Sequence, residues 1–155
     1  MPAILGVDLG TKCGWAHLNT NSQGSAIISG VWDCSIRSGV DSPAIRFLKF
    51  EKNLDGVLSL SPDMVFYEIV RAHRGVKAAH MYGAFQQKLF ERCDYFGVPY
   101  EGVSVQAIKK FATGKGNAPK EDVIAAVRVW GFHPKDDNEA DAIALARLGW
   151  EQYGS

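Results

Sequence analysis

Residues 3–11 read Ala-Ile-Leu-Gly-Val-Asp-Leu-Gly-Thr (AILGVDLGT), and the rest of the chain is best read outward from them. Five residues of strand material run into a carboxylate, after which the apolar pattern resumes. Side chains alternate along a strand with period two, so Asp8 shares a face with Ile4 and Gly6. A bare carboxylate on that face is costly unless something pairs with it.

The oddity recurs twice. In Asp63-Met64-Val65-Phe66-Tyr67-Glu68-Ile69-Val70, Glu68 falls on the face of Met64 and Phe66 near the end of an apolar strand. In NEADAIALARLG (138–149), Asp141 sits in a helix apolar nearly all round, sharing its face with Ala144, Leu145 and Leu148 and so pointing toward the sheet. One buried acid is ordinarily a satisfied structural residue. Three that converge repel one another, and only protonation or a cation relieves that. An all-oxygen donor set suits a hard cation such as Mg²⁺. Helix spacing offers a fourth ligand, because Asn138 and Asp137 lie three and four residues before Asp141. Asn138 is favoured, with Asp137 next. Glu139 faces elsewhere, and with Asp136 it fits a capping box.

The remaining pattern predicts a three-strand meander over 3–9, 14–18 and 26–34, with a polar loop over 19–25. An amphipathic helix follows Ser42, with Ile45, Leu48, Leu54, Val57 and Leu58 inward, and ends before Pro62. Then come a strand over 63–70, a helix over 76–96, a strand over 98–105, a short helix over 106–113, a Gly-rich loop over 114–119, and helices over 120–130 and about 138–153. Antiparallel strands followed by alternating helix and strand give an α/β fold: a mixed five-stranded sheet with helices on both faces.

At 155 residues and 46% hydrophobic composition the chain is one folded domain, 1–155. No stretch approaches a membrane span and no signal peptide opens the chain, so a cytoplasmic protein of a bacterial or phage-infected cell is expected. Cys13, Cys34 and Cys93 form no CxxC pair and read as small buried hydrophobes in a reducing compartment. The net charge of zero conceals segregation: five Lys/Arg against one acid over 71–92, four Lys and no acid over 106–120, then six acids over 121–141. The loop TGKGNAPK (113–120) is no Walker A, but as a flexible basic loop with exposed amides it suits a DNA phosphate. Trp32, Trp130 and Trp150 read as core.

Together, "ILGVDLGTKCGWA", "FYEIV" and "NEADAIALA", with "VQAIKKFATGKGNAPKEDVIAAV" between the last two, resemble the RuvC-type Holliday-junction resolvases of the RNase H-like fold over about 4–148. The composition is similar to that of short phage-encoded members. The resemblance implies a homodimeric endonuclease that nicks two opposed strands of a four-way DNA junction and leaves 5′ phosphates. It implies two Mg²⁺ per site, replaceable by Mn²⁺, with Asp8, Glu68 and Asp141 as the metal-binding acids and Asn138 where many members carry an acid or a histidine. Asp8 bridges both ions, with Gly10 beside it allowing close backbone approach, and Lys120 acts on a phosphate near the cut. The expected DNA contacts are Lys12; Arg71, His73, Arg74 and Lys77; and Lys109, Lys110, Lys115 and Lys120. Where some members place an aromatic wedge, this chain has Ile69-Val70-Arg71-Ala72-His73-Arg74, so the junction is opened differently. The expected dimer surface is the Met81, Tyr82, Phe85 face of helix 76–96. The rivals are a broader branched-DNA, RNase H-like or YqgF-type nuclease, a non-catalytic junction-binding module, and the sugar kinase, actin and chaperone group, whose paired domains exceed this length.

Overall fold

The computed structural model describes residues 2–21 and 24–154. In chain order the elements are β1 (Ala3–Asp8), β2 (Lys12–Asn21), β3 (Gly24–Asp33), α1 (Ala44–Leu58), β4 (Met64–Ile69), α2 (Val76–Phe96), β5 (Tyr100–Ser104), α3 (Val105–Thr113), α4 (Lys120–Val129) and α5 (Asp137–Gly154). The five strands form one sheet in the order β3-β2-β1-β4-β5. The pairs β1/β2 and β2/β3 are antiparallel, whereas β1/β4 and β4/β5 are parallel. This is the mixed sheet expected from the meander and the alternation that follows it.

Alternation along the strands divides the core into two layers. Leu5, Val7, Val65 and Tyr67 face α1 and α2, joined by Phe50, Leu54, Phe85 and Leu89. Ile4, Phe66 and Ala16 face α3, α4 and α5, joined by Ile108, Val123, Val127, Ile143 and Leu145. The apolar wrap of α5 has a reason: Ala140 and Ala142 through Ala146 are almost wholly buried between sheet and neighbouring helices. Its small side chains let the helix lie unusually close. A Cβ on Gly6 would stand 2.7 Å from the Ala142 carbonyl oxygen and 2.8 Å from the Ala146 nitrogen, and one on Gly14 would run into the Asn138 carbonyl.

Four expectations change. The polar loop over 19–25 is largely strand, since β2 runs to Asn21 and β3 begins at Gly24; residues 22 and 23 lie outside the described residues. Ladder pairing across a long hairpin outweighs the low strand propensity of Asn, Ser and Gly. Leu48 is not inward but 53% exposed, and α1 buries Phe50 instead. Gly10 has open space around it, so the close approach belongs to Gly6 and Gly14. Phe85 belongs to the core, wedged edge-on against Phe47 and Phe50.

Trp32 is buried and stacks on Trp15 with ring centroids 5.4 Å apart. Trp130 is half-buried against Phe111, with the Arg147 guanidinium 4.5 Å over its ring. The three cysteines are buried thiols, and burial pushes Cys34 up to about 11 and Cys93 up to about 12. No helix among the described residues is long and apolar enough to cross a membrane.

Candidate metal centre

The parallel register pairs Val7 with Tyr67, so Asp8 and Glu68 come next, side by side at the carboxyl ends of the two central strands. Both point to the face covered by α5, because they continue the Ile4–Gly6 and Met64–Phe66 sides of their strands. Asp141 enters from the second turn of α5 and completes the group. One carboxylate oxygen from each of Asp8, Glu68 and Asp141 lies within 4.8 Å of the other two, and all three residues are partly open to solvent. Oxygens on opposite sides of one Mg²⁺ are about 4.2 Å apart, twice its ~2.1 Å bond, so a spread of up to 4.8 Å is slightly wider than one coordination sphere, and a small contraction would let a cation gather the three.

The acids resist sharing this space as anions. Burial, then the charges of Glu68 and Asp141, push the Asp8 carboxyl well above its ordinary range. Burial followed by the Glu68 and Asp137 charges pushes Asp141 up to about 7. Glu68 is also raised by burial, with the Asp8 hydrogen bond and the Lys109 charge pulling it back. The hydrogen bond between Asp8 and Glu68 favours the protonated form of Asp8 and the ionised form of Glu68, and the Lys109 charge favours the ionised forms of Glu68 and Asp141.

The start of α5 sets Asp141 in place. The Glu139 amide donates to the Asp136 carboxylate at 2.9 Å, which is half of the expected capping box. The Glu139 side chain reaches one residue further back, accepting from the Lys135 amide at 2.8 Å and from the Ser29 hydroxyl on β3 at 2.7 Å. Glu139 therefore ties the helix to the sheet edge and stays out of the cluster. Asn138 lies over Gly14, its backbone carbonyl against the β2 backbone. Asp137 is close enough for its charge to raise both Asp8 and Asp141.

The expected DNA contacts are distributed around this centre. Lys109 lines the cleft between Glu68 and Asp141, with Val105 and Ile108. The sequence pattern predicts Lys109 as a DNA contact and gives no sign of its place beside the carboxylates. Its position beside the carboxylates depends on α3 starting at the Ser104 cap, whose hydroxyl accepts the Ala107 amide at 3.1 Å. Lys115 and Lys120 are exposed on the loop after α3 and at the first residue of α4. Arg71 and Arg74 are exposed beyond β4, His73 packs its ring on Tyr82, and Lys77 lines the gap between α1 and α2. Lys12 is paired with Asp33 at 2.7 Å, and Lys110 lies on the outer side of α3 near Glu151. Arg46 was overlooked: from the first turn of α1 it donates to the Thr11 hydroxyl at 2.7 Å, in the turn that follows Asp8.

No family model matches the chain. A curated relative, the crossover junction endodeoxyribonuclease RuvC of Nitratidesulfovibrio vulgaris (strain DP4), is 30% identical over 151 residues, covering 94% of this chain and 89% of the relative. The enzyme of the same name from Carboxydothermus hydrogenoformans is 24% identical over 97% of both chains. Among solved structures, T. thermophilus RuvC in complex with Holliday junction substrate has a TM-score of 0.84 at 22% identity, covering 99% of this chain and 97% of that one. The structural likeness bears on the fold, and the sequence relatives bear on the family.

Proposed function

The chain belongs to the RuvC family of crossover junction endodeoxyribonucleases, and from that premise we propose that it resolves four-way DNA junctions by paired nicks, with divalent cations held by Asp8, Glu68 and Asp141. The observation that carries the reading is the convergence of these three carboxylates within 4.8 Å. The donor set fits a hard cation: every donor is a carboxylate oxygen, and burial together with the neighbouring acids disfavours the Asp8 anion, which a counter-charge relieves. Two Mg²⁺ fit the excess of negative charge, with Mn²⁺ as a substitute.

Bound there, the cations supply a water of lowered pKa and neutralise the departing 3′ oxygen. The protein's own part is placement and charge. Asp8 would be the ligand shared by the cations, with Glu68 and Asp141 each completing one side. Asn138 is the favoured auxiliary ligand, with Asp137, whose charge reaches Asp8 and Asp141, the alternative from the same helical turn. Lys109 faces the oxygens of the scissile phosphate as well as the carboxylates. Lys120, at the start of α4, takes a phosphate beside the cut, and the Gly114–Pro119 loop offers backbone amides along the strand. Water attacks phosphorus in line, the P–O3′ bond breaks, and the products carry a 3′ hydroxyl and a 5′ phosphate.

Two opposed nicks call for two such sites related by a two-fold axis. The surface that suits this is the open gap between α1 and α2, about 520 Å³, lined by Phe47, Val76, Met81 and Ala84. Val76 is 70% exposed, as an apolar residue awaiting a partner would be.

The test uses a synthetic four-way junction and a matched linear duplex, with Mg²⁺ or EDTA, for the protein and its Asp8→Asn variant. Paired nicks confined to the junction, abolished by EDTA and by Asp8→Asn, are expected. Equal cutting of the duplex would retain the metal site and overturn junction selectivity. Tight junction binding with no cleavage in Mg²⁺ or Mn²⁺ would overturn catalysis altogether.

A further inference from the structure

Strand β4 ends at Ile69, one residue beyond Glu68. The Val65 amide donates to the Pro99 carbonyl on the β5 side, so odd-numbered residues of β4 direct their backbone groups to β5 and even-numbered ones to β1. Strand β1 ends at Asp8, too early to reach the Glu68 carbonyl or the Val70 amide. Tyr82 of α2 takes the place of the missing strand. Its hydroxyl donates to the Glu68 carbonyl at 2.7 Å and accepts the Val70 amide at 3.3 Å. On the same ring lies His73, with centroids 5.1 Å apart. The neighbouring Ile69 is held from the opposite direction, since its side chain occupies the space that a Cβ on Gly102 of β5 would need.

One side chain thus fixes the backbone of a metal-binding carboxylate together with the departing segment that carries Arg71, His73 and Arg74. A place on a dimer face would not account for a Tyr82 hydroxyl committed to the end of β4. We propose that Tyr82 is a positioning residue, whose hydroxyl holds the end of β4 so that Glu68 keeps its carboxylate on the metal site. The inference rests on the reading of Asp8, Glu68 and Asp141 as a metal centre. Tyr82 touches neither ion nor substrate, and acts only through the Glu68 backbone.

The experiment compares the wild type with Tyr82→Phe, Glu68→Gln and the double variant. Tyr82→Phe keeps the ring and removes one oxygen, so the fold is retained, and the melting temperature serves as control. The first readout is Mn²⁺ affinity by calorimetry and electron paramagnetic resonance, without DNA. Second is cleavage, split into kcat and KM. The hydroxyl's loss is expected to weaken Mn²⁺ binding about tenfold, as for other groups that orient metal ligands. Cleavage is expected to lose kcat by a similar factor, and loosening of the Arg71–Arg74 segment is read separately as weaker junction binding in EDTA. In the double variant the effect disappears, because without the Glu68 carboxylate there is nothing left to position. A merely structural role would lower the melting temperature and add its cost equally in both backgrounds. Unchanged Mn²⁺ affinity and kcat in Tyr82→Phe, or full additivity in the double variant, overturns the proposal. A wild type whose Mn²⁺ affinity depends on the Glu68 carboxylate and on the Tyr82 hydroxyl behind it, but which cuts no junction, upholds positioning and overturns the substrate reading instead.

Discussion

Asp8 is raised by burial and then by its acidic neighbours, and holding such a group has a measurable cost when no cation is present. Asp141 titrates at about 7 in the folded protein, against roughly 4 for an unfolded aspartate. Between those values the folded state binds the extra proton, so unfolding free energy falls as pH rises through the window. A three-unit shift corresponds to about 4 kcal/mol at most, reduced by coupling among the three acids and by their partial exposure. Urea unfolding of the metal-free protein is therefore expected to show a loss of a few kcal/mol between pH 5 and pH 8, with Mg²⁺ restoring stability at pH 8. Asp8→Asn removes one of the repelling groups. It should raise metal-free stability at pH 8 while lowering cleavage by about 10³-fold or more, a barrier increase of ~4 kcal/mol. Stability lost together with activity would contradict this. Lys109 works in the opposite direction, favouring ionised Glu68 and Asp141. Lys109→Met should shift the acid limb of the pH–rate profile upward, and an unmoved limb would show that its charge does not reach the site.

At the scale of elements, the metal centre depends on how closely α5 approaches the sheet. Gly14 and Gly6 leave no room for a side chain beneath the helix, and the carbonyl of Asn138 occupies the space over Gly14. Gly14→Ala must push the first turn of α5 outward and carry Asp141 with it. The expected cost is about 1–3 kcal/mol of stability, as for other overpacked sites, along with most of the cleavage. Gly10→Ala, beside Asp8 in sequence but in open space, should melt within a few degrees of the wild type and retain its activity. Thermal melts and junction cleavage on the pair of variants decide between the two sites. Helix pairing shows the same limit of local reading. The basic run over 71–92 is divided by tertiary contacts: Lys88 lies 3.0 Å from Glu51, and Arg92 makes two contacts of 2.8–2.9 Å with Asp55, so these two cations help to pack α2 on α1. Arg71 and Arg74 stay exposed after β4, as the proposed DNA contacts require, while Lys77 lines the gap between α1 and α2.

For the whole molecule, equal numbers of acids and bases give a net charge of zero, and binding to DNA must come from where the charges sit. Of the six acids over 121–141, Asp141 belongs to the carboxylate cluster and Asp136 and Asp137 act on it, while the lysines of α3, the following loop and α4 stay basic. Junction binding in EDTA is thus expected to weaken steeply with salt, each phosphate contact contributing about 0.7–0.9 to the log–log slope. Replacing Lys115 or Lys120 by Gln should lower that slope by about one unit each. A slope unchanged by either substitution would place the DNA elsewhere.

Period-two and helical patterns suffice to place the strands and helices, because burial of one face is written in consecutive residues. They also single out Asp8, Glu68 and Asp141, since a carboxylate inside an apolar run is visible without coordinates. The helix over 76–96 is legible to the residue for the same reason. What no local pattern carries is proximity between residues far apart in the chain. Lys109 beside Glu68, Glu139 on Ser29, and Tyr82 on the Glu68 carbonyl are contacts across different elements, and each depends on the packing distance and rotation of a whole helix. The identity of the acids was determined by the sequence, and their convergence into one site by the register of β1 against β4 and the glycine-lined seat of α5.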